Sequence, residues 1–568
     1  MPYNTARATL IALTICLARL FCYSLTATTI FHWTWNVAWH YSHASRPSTE
    51  TALSRAIRAA TYDAVADFFV LTSASVSILL VWATQRIIYR LYLHPLAGFP
   101  GPKIAAFTRA YEFYYDVILS GNYTFAIKEM HQRYGPIIRI SPHELHIHDP
   151  DFEDEIYTGA SKPREKYPWA LGMFGTSSGF IVARGHDLHR KRRAPVNSFF
   201  SKKAVTELSP LIQGHIQNFC RRVKEFKGTE KPLRLDHAYT ALTMDIISDY
   251  SYGASYGGLN TPDMMAGFVT AVSRGAETLH INKFFPWFIY TMKALPAWIV
   301  VKLNPSFGGM IRMQEKQAED VDEVIRNHGQ LKKNGRRTIF HELWNSPELL
   351  EEDHNRQHML NEAQTFIGAG TFTTSSHLTN TTFHLLSNPA CLQRLRTELR
   401  ELITDSHALP PLSSLERLPY FTAVIQEGHR VAVGAGHRLA RISPVLPIQY
   451  KDWTIPPGVP VGMSNWLTAF DPTLFPDPHT FRPERFLRDT EGSDRARKMF
   501  SPYSKGTRSC LGMNLAQAEL YMTLATVFGS EKFDFKLWET VKEDVEPYRD
   551  YFSPWPRKDA RGLRVLVE

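Results

Sequence analysis

Cysteine is scarce in this chain, with five in 568 residues: Cys16, Cys22, Cys220, Cys391 and Cys510. They are odd in number and scattered, which excludes a secreted disulfide framework and fits a reducing compartment. No zinc-finger spacing occurs, and no long Lys/Arg block accompanies the net charge of +9, so nucleic acid is not an expected partner. The basic balance, with a pI of about 9.1, suits an anionic membrane or an acidic protein instead. Nor is the chain poor in apolar residues. At 44% hydrophobic and 21% charged it can build a sizeable core, and disorder is not the default.

Two apolar stretches open the chain. The first, residues 8–39, is broken by Arg19 and lacks a small-residue cleavage site, which argues against a cleaved signal peptide. The second, FFVLTSASVSILLVWAT at 68–84, has Ala64 and Ala66 just before it and reaches the length of a membrane span. Asp63 and Asp67 flank its start; Arg86 and Arg90 flank its end, placing the rest of the chain on the cytosolic side. Arg55 and Arg58, on the other flank, work against that orientation. HPLAGFPGPK at 94–103 then breaks the pattern, because Pro95, Pro100 and Pro102 block helix continuation. Helical periodicity dominates beyond it, with short extended runs at 137–142 and 145–149 and strands and turns in the tail at 551–568. The expected division is an apolar extension at 1–63, a transmembrane anchor at 64–86, a proline-rich hinge at 87–103 and one large body, mainly α with a small β-rich part, at 104–568.

Within the body, FSPYSKGTRSCLG begins at residue 500 and leads straight into an apolar helix. A thiolate needs a positive surrounding, and a helix N-terminus with Arg508 nearby offers one to Cys510. Gly506 and Gly512 carry no side chain, so the backbone there can approach a flat cofactor and its sulfur ligand. Backbone N–H groups aimed at that sulfur would tune it. A free cysteine is more often inert packing, but the combined spacing speaks against that here.

The run YSKGTRSCLG resembles the heme-binding signature of the cytochrome P450 family, F-x-x-G-x-R-x-C-x-G, with Tyr503 standing where the family has Phe. The resemblance implies that Cys510 is the axial ligand of heme iron and that Arg508 reaches a heme propionate. Further segments come in the family's order. Glu427 and Arg430, three apart on one helix face, resemble the E-x-x-R pair, with Arg485 of FRPERF as the third member of a structural triad. His189 and Arg193 in GHDLHRKRRAP share a face and resemble propionate ligands, whereas Arg190 and Arg192 read as a solvated basic face. Arg441 resembles another propionate-binding arginine, with Arg438 as its competitor. NEAQTFIGAGTFTTSSHL resembles the oxygen-binding helix, matching at Ala369, Gly370, Thr373 and Thr374. Ala369 and Gly370 would leave room over the heme face, and Thr373 would hydrogen-bond dioxygen and relay protons. The family's acidic position is filled by Phe372, so protons arrive through water and Thr373, or the usual delivery is not needed.

The resemblance thus implies a cytochrome P450 fold holding heme b, and a monooxygenase that inserts one atom of O2 into a lipophilic small molecule. The stretch around 430–444 resembles fungal members that oxidise terpenoids and related secondary metabolites. Electrons from NADPH would come through a membrane-bound NADPH–cytochrome P450 reductase, with cytochrome b5 as an optional donor. Arg190, Lys191 and Lys505 would steer its acidic face. The expected location is the endoplasmic reticulum membrane, with the body facing the cytosol. The other readings are a heme-thiolate isomerase or dehydratase working without O2, kept alive by Phe372, and a non-catalytic heme- or lipid-binding protein. FFPWF at 284–288 is expected to meet membrane, line a substrate passage or pack in the core. The sequons at Asn122 and Asn380 are expected to go unused, the one on the cytosolic side and the other on a buried helix.

Overall fold

Proline sets the first boundary. The computed structural model describes residues 52–568 apart from positions 331, 405–408, 489, 491 and 530–532. The first apolar stretch, with Cys16 and Cys22, lies outside the described residues. Ala52–Ile88 forms one helix (α1) that passes without a break into a π-helical turn, Tyr89–Leu93. It stops at His94, whose extended backbone is the one that the next residue, a proline, demands. The first seven residues assigned to the hinge are therefore helical, and the proline break begins at His94. Among the described residues, Ala64–Leu93 is the one helix long and apolar enough to cross a membrane. Its 30 residues extend about 45 Å at 1.5 Å each. Phe68, Phe69, Leu71, Leu79 and Leu80 on it are exposed. The chain divides into two compact units, Met1–Thr108 and Arg109–Glu568.

The second unit is mainly helical. The helices that build the site are His186–Asn197 (α2), Leu235–Tyr252 (α3), Gly308–Arg326 (α4), Arg356–Ser387 (α5), Pro419–Ala432 (α6) and Met513–Gly529 (α7). α5 is capped by Asn355, whose side chain accepts the His358 N–H, and ends ahead of Pro389. Helices α3, α4, α6 and α7 all pack on it. A helix covered on every side cannot be amphipathic, and α5 accordingly buries polar residues such as Thr381 and Thr382 beside Leu378 and Leu385. α3 approaches α5 closely. A Cβ on Gly370 would meet the Ile247 side chain at 2.7 Å, and the Thr243 hydroxyl donates to the Thr371 carbonyl at 2.9 Å.

The principal sheet has five strands: Ile137–Ser141 (β1), Glu144–Ile147 (β2), Glu165–Lys166 (β3), Arg441–Ile442 (β4) and Pro460–Gly462 (β5), ordered β1-β2-β5-β4-β3. The β5–β2 pair is parallel and the others are antiparallel. The two extended runs read from the sequence are β1 and β2. β3 and β4 place Lys166 directly opposite Arg441. In the tail, Arg549–Tyr551 and Ser553–Trp555 form a hairpin whose turn residue, Phe552, has a φ of 74°.

Candidate active site

Between α5 and the loop that carries Cys510 lies a cavity of about 300 Å³, walled mostly by apolar side chains such as Phe174, Ile247, Phe366 and Phe552. It collects His189, Arg193, Ala369, Gly370, Thr373, Arg441, Tyr503, Arg508, Cys510 and Gly512 from separate segments. Residues more than 300 positions apart meet here: Arg193 on α2 donates to the Ser509 carbonyl at 2.7 Å.

Cys510 carries accessible surface, yet protein surrounds it; that surface opens on the cavity. Burial pushes its thiol up, while the Gly512 N–H and Arg193 pull the other way. The loop is fixed by hydrogen bonds rather than by regular structure. Arg508 donates to the carbonyls of Ala183, Arg184 and Gly185 at 2.7, 2.8 and 2.9 Å, leaving its buried Nε without a partner among the described residues.

Charge on the wall is one-sided. Lys166, Arg193, Arg441 and Arg508 all line the cavity, and among the described residues none of them has a carboxylate in ion-pair reach. Burial pushes the acidic residue on the wall, Glu519, well above the usual carboxylate range. Burial and mutual repulsion lower Arg508 to about 10 and push Lys166 well below its ordinary value. Burial, then the same cations, pushes His189 down to about 2. Like charges placed opposite across a strand pair are unfavourable, and Lys166 faces Arg441 in this way. An apolar pocket with a thiol at one wall and unpaired cations along one rim fits a flat apolar group bearing anionic arms, such as a heme with its two propionates.

Several expectations change. Gly506 is exposed and does not line the cavity. With φ at +71°, its missing side chain makes room for the Thr158 backbone, which accepts the Thr507 N–H at 3.1 Å. The space left by Gly370 is taken by Ile247. Arg192 is not solvated: it makes a bidentate pair with buried Asp353 at 2.6 and 2.7 Å. Lys505 is held by Glu153 at 3.0 Å and Asp154 at 2.9 Å, so its charge is spent locally. Arg438 lines the cavity but pairs with Glu112 and, at 3.0 Å, with Glu144. Of these two arginines, Arg441 is the one with no carboxylate in ion-pair reach among the described residues. Phe372 does not line the cavity; its ring stacks on Phe268 at 6.0 Å and meets Trp555 at a tilt, 6.1 Å away. Phe285 and Trp287, with Tyr290, Trp298 and Leu303 beyond them, are exposed, so these side chains are not core. Asn380 is buried.

Glu427, Arg430 and Arg485 lie away from the cavity, all buried. Arg430 grips both oxygens of Glu427 at 2.8 and 2.7 Å, Arg485 Nε stands 3.5 Å from Glu427, and the Arg482 N–H donates to the same carboxylate at 2.8 Å. Arg430 also donates to the carbonyls of Ala469, Pro478 and Thr480. A buried charge cluster is tolerable only when paired this fully.

Lys166, His377, His429 and Glu519 share the wall without having stood out in the sequence. A two-residue strand gives no periodicity to place Lys166. The histidines lie in motifs whose neighbours drew the attention: His377 four residues after Thr373, and His429 between Glu427 and Arg430.

The sequence profile of the Cytochrome P450 family matches residues 107–552. The cytochrome P450 monooxygenase tpcC of Cochliobolus heterostrophus is 40% identical over 497 residues, covering 84% of this chain and 94% of its own. Tryptophan 6-hydroxylase fscE of Fusarium equiseti is 39% identical, covering 85% and 94%. Conidiogenone synthase PchP450 of Penicillium rubens is 37% identical, covering 85% and 96%.

Proposed function

The chain belongs to the cytochrome P450 family, and on that premise we propose that it inserts one atom of O2 into a terpenoid or related lipophilic secondary metabolite, using NADPH-derived electrons delivered by a reductase. The observation that carries the reading is the cavity that joins the Cys510 thiol, the unpaired cations and Thr373.

Heme b, when bound, supplies the activation of O2, and a thiolate ligand favours O–O cleavage. The chain's residues do the rest. Cys510 would be the ligand, with the Gly512 N–H directed at its sulfur. Arg508, Arg193, Arg441 and His189, which line the cavity, would hold the propionates, and Lys166 would join them. Thr373 donates to the Ala369 carbonyl at 2.8 Å and can turn that proton toward the cavity. Glu427, Arg430 and Arg485 fix the scaffold behind the loop. The apolar wall excludes water and receives a lipophilic substrate. Relatives of nearly equal identity are named a tryptophan 6-hydroxylase and a conidiogenone synthase, so identity alone does not select the substrate.

The helix Ala64–Leu93 is the proposed anchor in the endoplasmic reticulum membrane, and the exposed rings at 285–298 suit contact with the same surface. Arg190 and Lys191 are not buried and remain candidates for steering the reductase.

Phe372 supports a second reading, since that position offers the cavity no carboxyl: a heme-thiolate isomerase or dehydratase. Co-expression with a reductase and a terpenoid panel under heavy O2 separates the two. NADPH-dependent heavy oxygen in the product is expected. A product without heavy oxygen and without NADPH would establish the isomerase.

A further inference from the structure

The family signature has phenylalanine where this chain has Tyr503, and the added hydroxyl has a partner. Tyr503 Oη lies 3.1 Å from His429 Nε2, and His429 Nδ1 lies 3.0 Å from His377 Nδ1. The rings meet edge to face, with centroids 4.9 and 4.2 Å apart. His377 sits on α5 one turn beyond Thr373, and His429 sits on α6 between Glu427 and Arg430. At its other end Tyr503 accepts the Cys510 N–H on its main-chain carbonyl at 2.9 Å. Three side chains therefore connect the Thr373 helix to the cysteine loop, and all three line the cavity.

The chain of contacts has a defined chemistry. Burial keeps both imidazoles uncharged, His429 at about 3 and His377 well below its ordinary value. Two neutral rings that face each other Nδ1 to Nδ1 share one proton there, so donation runs in one direction along all three residues. Space for the arrangement comes from Gly428. A Cβ there would meet His377 Nε2 at 2.7 Å and drive the ring off His429. The cysteine loop needs such support. Ser504 and Gly506 both sit at positive φ, 58° and 71°; for Ser504 this is a conformation that persists only where the surroundings over-determine it.

We propose that His377, His429 and Tyr503 form a positioning strut that holds the Cys510 loop against α5 and so keeps the thiolate on the heme iron. The inference rests on the functional reading above. It is specific to a tyrosine at this position, because phenylalanine would fill the space and leave His429 Nε2 buried without a partner.

The test uses the full-length, heme-loaded protein and follows the thiolate-type absorption of its reduced carbonyl complex during mild heating. Tyr503→Phe keeps the ring, so folding and heme uptake are expected to persist, while the band decays about tenfold faster. His429→Leu should match it, His429→Gln should recover much of the wild-type lifetime, and the double variant should be no worse than the poorer single one, since one strut can be broken only once. A wild-type lifetime in Tyr503→Phe overturns the proposal, as do strictly additive effects of the two substitutions. Should His429→Leu fail to fold, the Tyr503→Phe lifetime decides alone. A wild-type protein that never shows the band would instead sink the functional reading beneath it.

Discussion

At Cys510 two influences oppose each other. Burial favours the thiol, whereas the Gly512 N–H and Arg193 favour the thiolate. Cys510→Ser should abolish the thiolate-type absorption of the reduced carbonyl complex, and persistence of that band would remove Cys510 as ligand. Phe372 presents a different balance. Its ring is half-buried between Phe268 and Trp555, so Phe372→Glu should cost about 2 kcal/mol in a denaturant titration. If proton supply limits the reaction, the same substitution should raise the product formed per NADPH. Unchanged coupling would assign proton delivery to water and Thr373.

Among the elements, α5 decides most. Its cavity face runs through Phe366, Ala369 and Thr373 to His377, and one turn before Phe366 it carries Glu362. The Glu362 carboxyl accepts the Phe180 N–H at 2.8 Å and so ties the wall segment around Phe180 to the helix. Burial raises this carboxyl from the usual 4.5 to about 8. The folded protein thus keeps a proton that the unfolded chain releases near 4.5. Stability from this group is complete below pH 4.5, declines by about 1.4 kcal/mol per pH unit between there and about 8, and is flat above. Glu362→Gln keeps an acceptor for Phe180 without a charge to bury. Urea midpoints measured from pH 5 to 8 should therefore fall less in the variant than in the wild type. Parallel pH profiles would show that Glu362 titrates normally.

For the whole molecule, the division after Thr108 separates an apolar helix from the body that carries the cytochrome P450 match. A chain lacking residues 1–93 should keep the thiolate-type absorption and lose resistance to carbonate extraction from membranes. Retention in the membrane pellet would shift the attachment to Trp287, Tyr290 and Trp298, which are exposed on the body.

Local signals were strong in the sequence wherever chemistry needs neighbours along the chain. The cysteine loop, the Glu427–Arg430 spacing, the Ala369–Thr374 run and the proline break each lie within a dozen residues, and together they fixed the family and the fold class. What packing across the chain decides could not be read that way. Gly506 faces Thr158, Gly370 faces Ile247, and Arg192 and Lys505 find acids that no spacing foretells. Lys166 became a site residue only when a two-residue strand brought it opposite Arg441. His377, His429 and Tyr503 meet from two helices and a loop. Sequence carries the identity of reactive groups and their local spacing, whereas burial, partner choice and the direction of a side chain arise only when distant segments exclude water from one another.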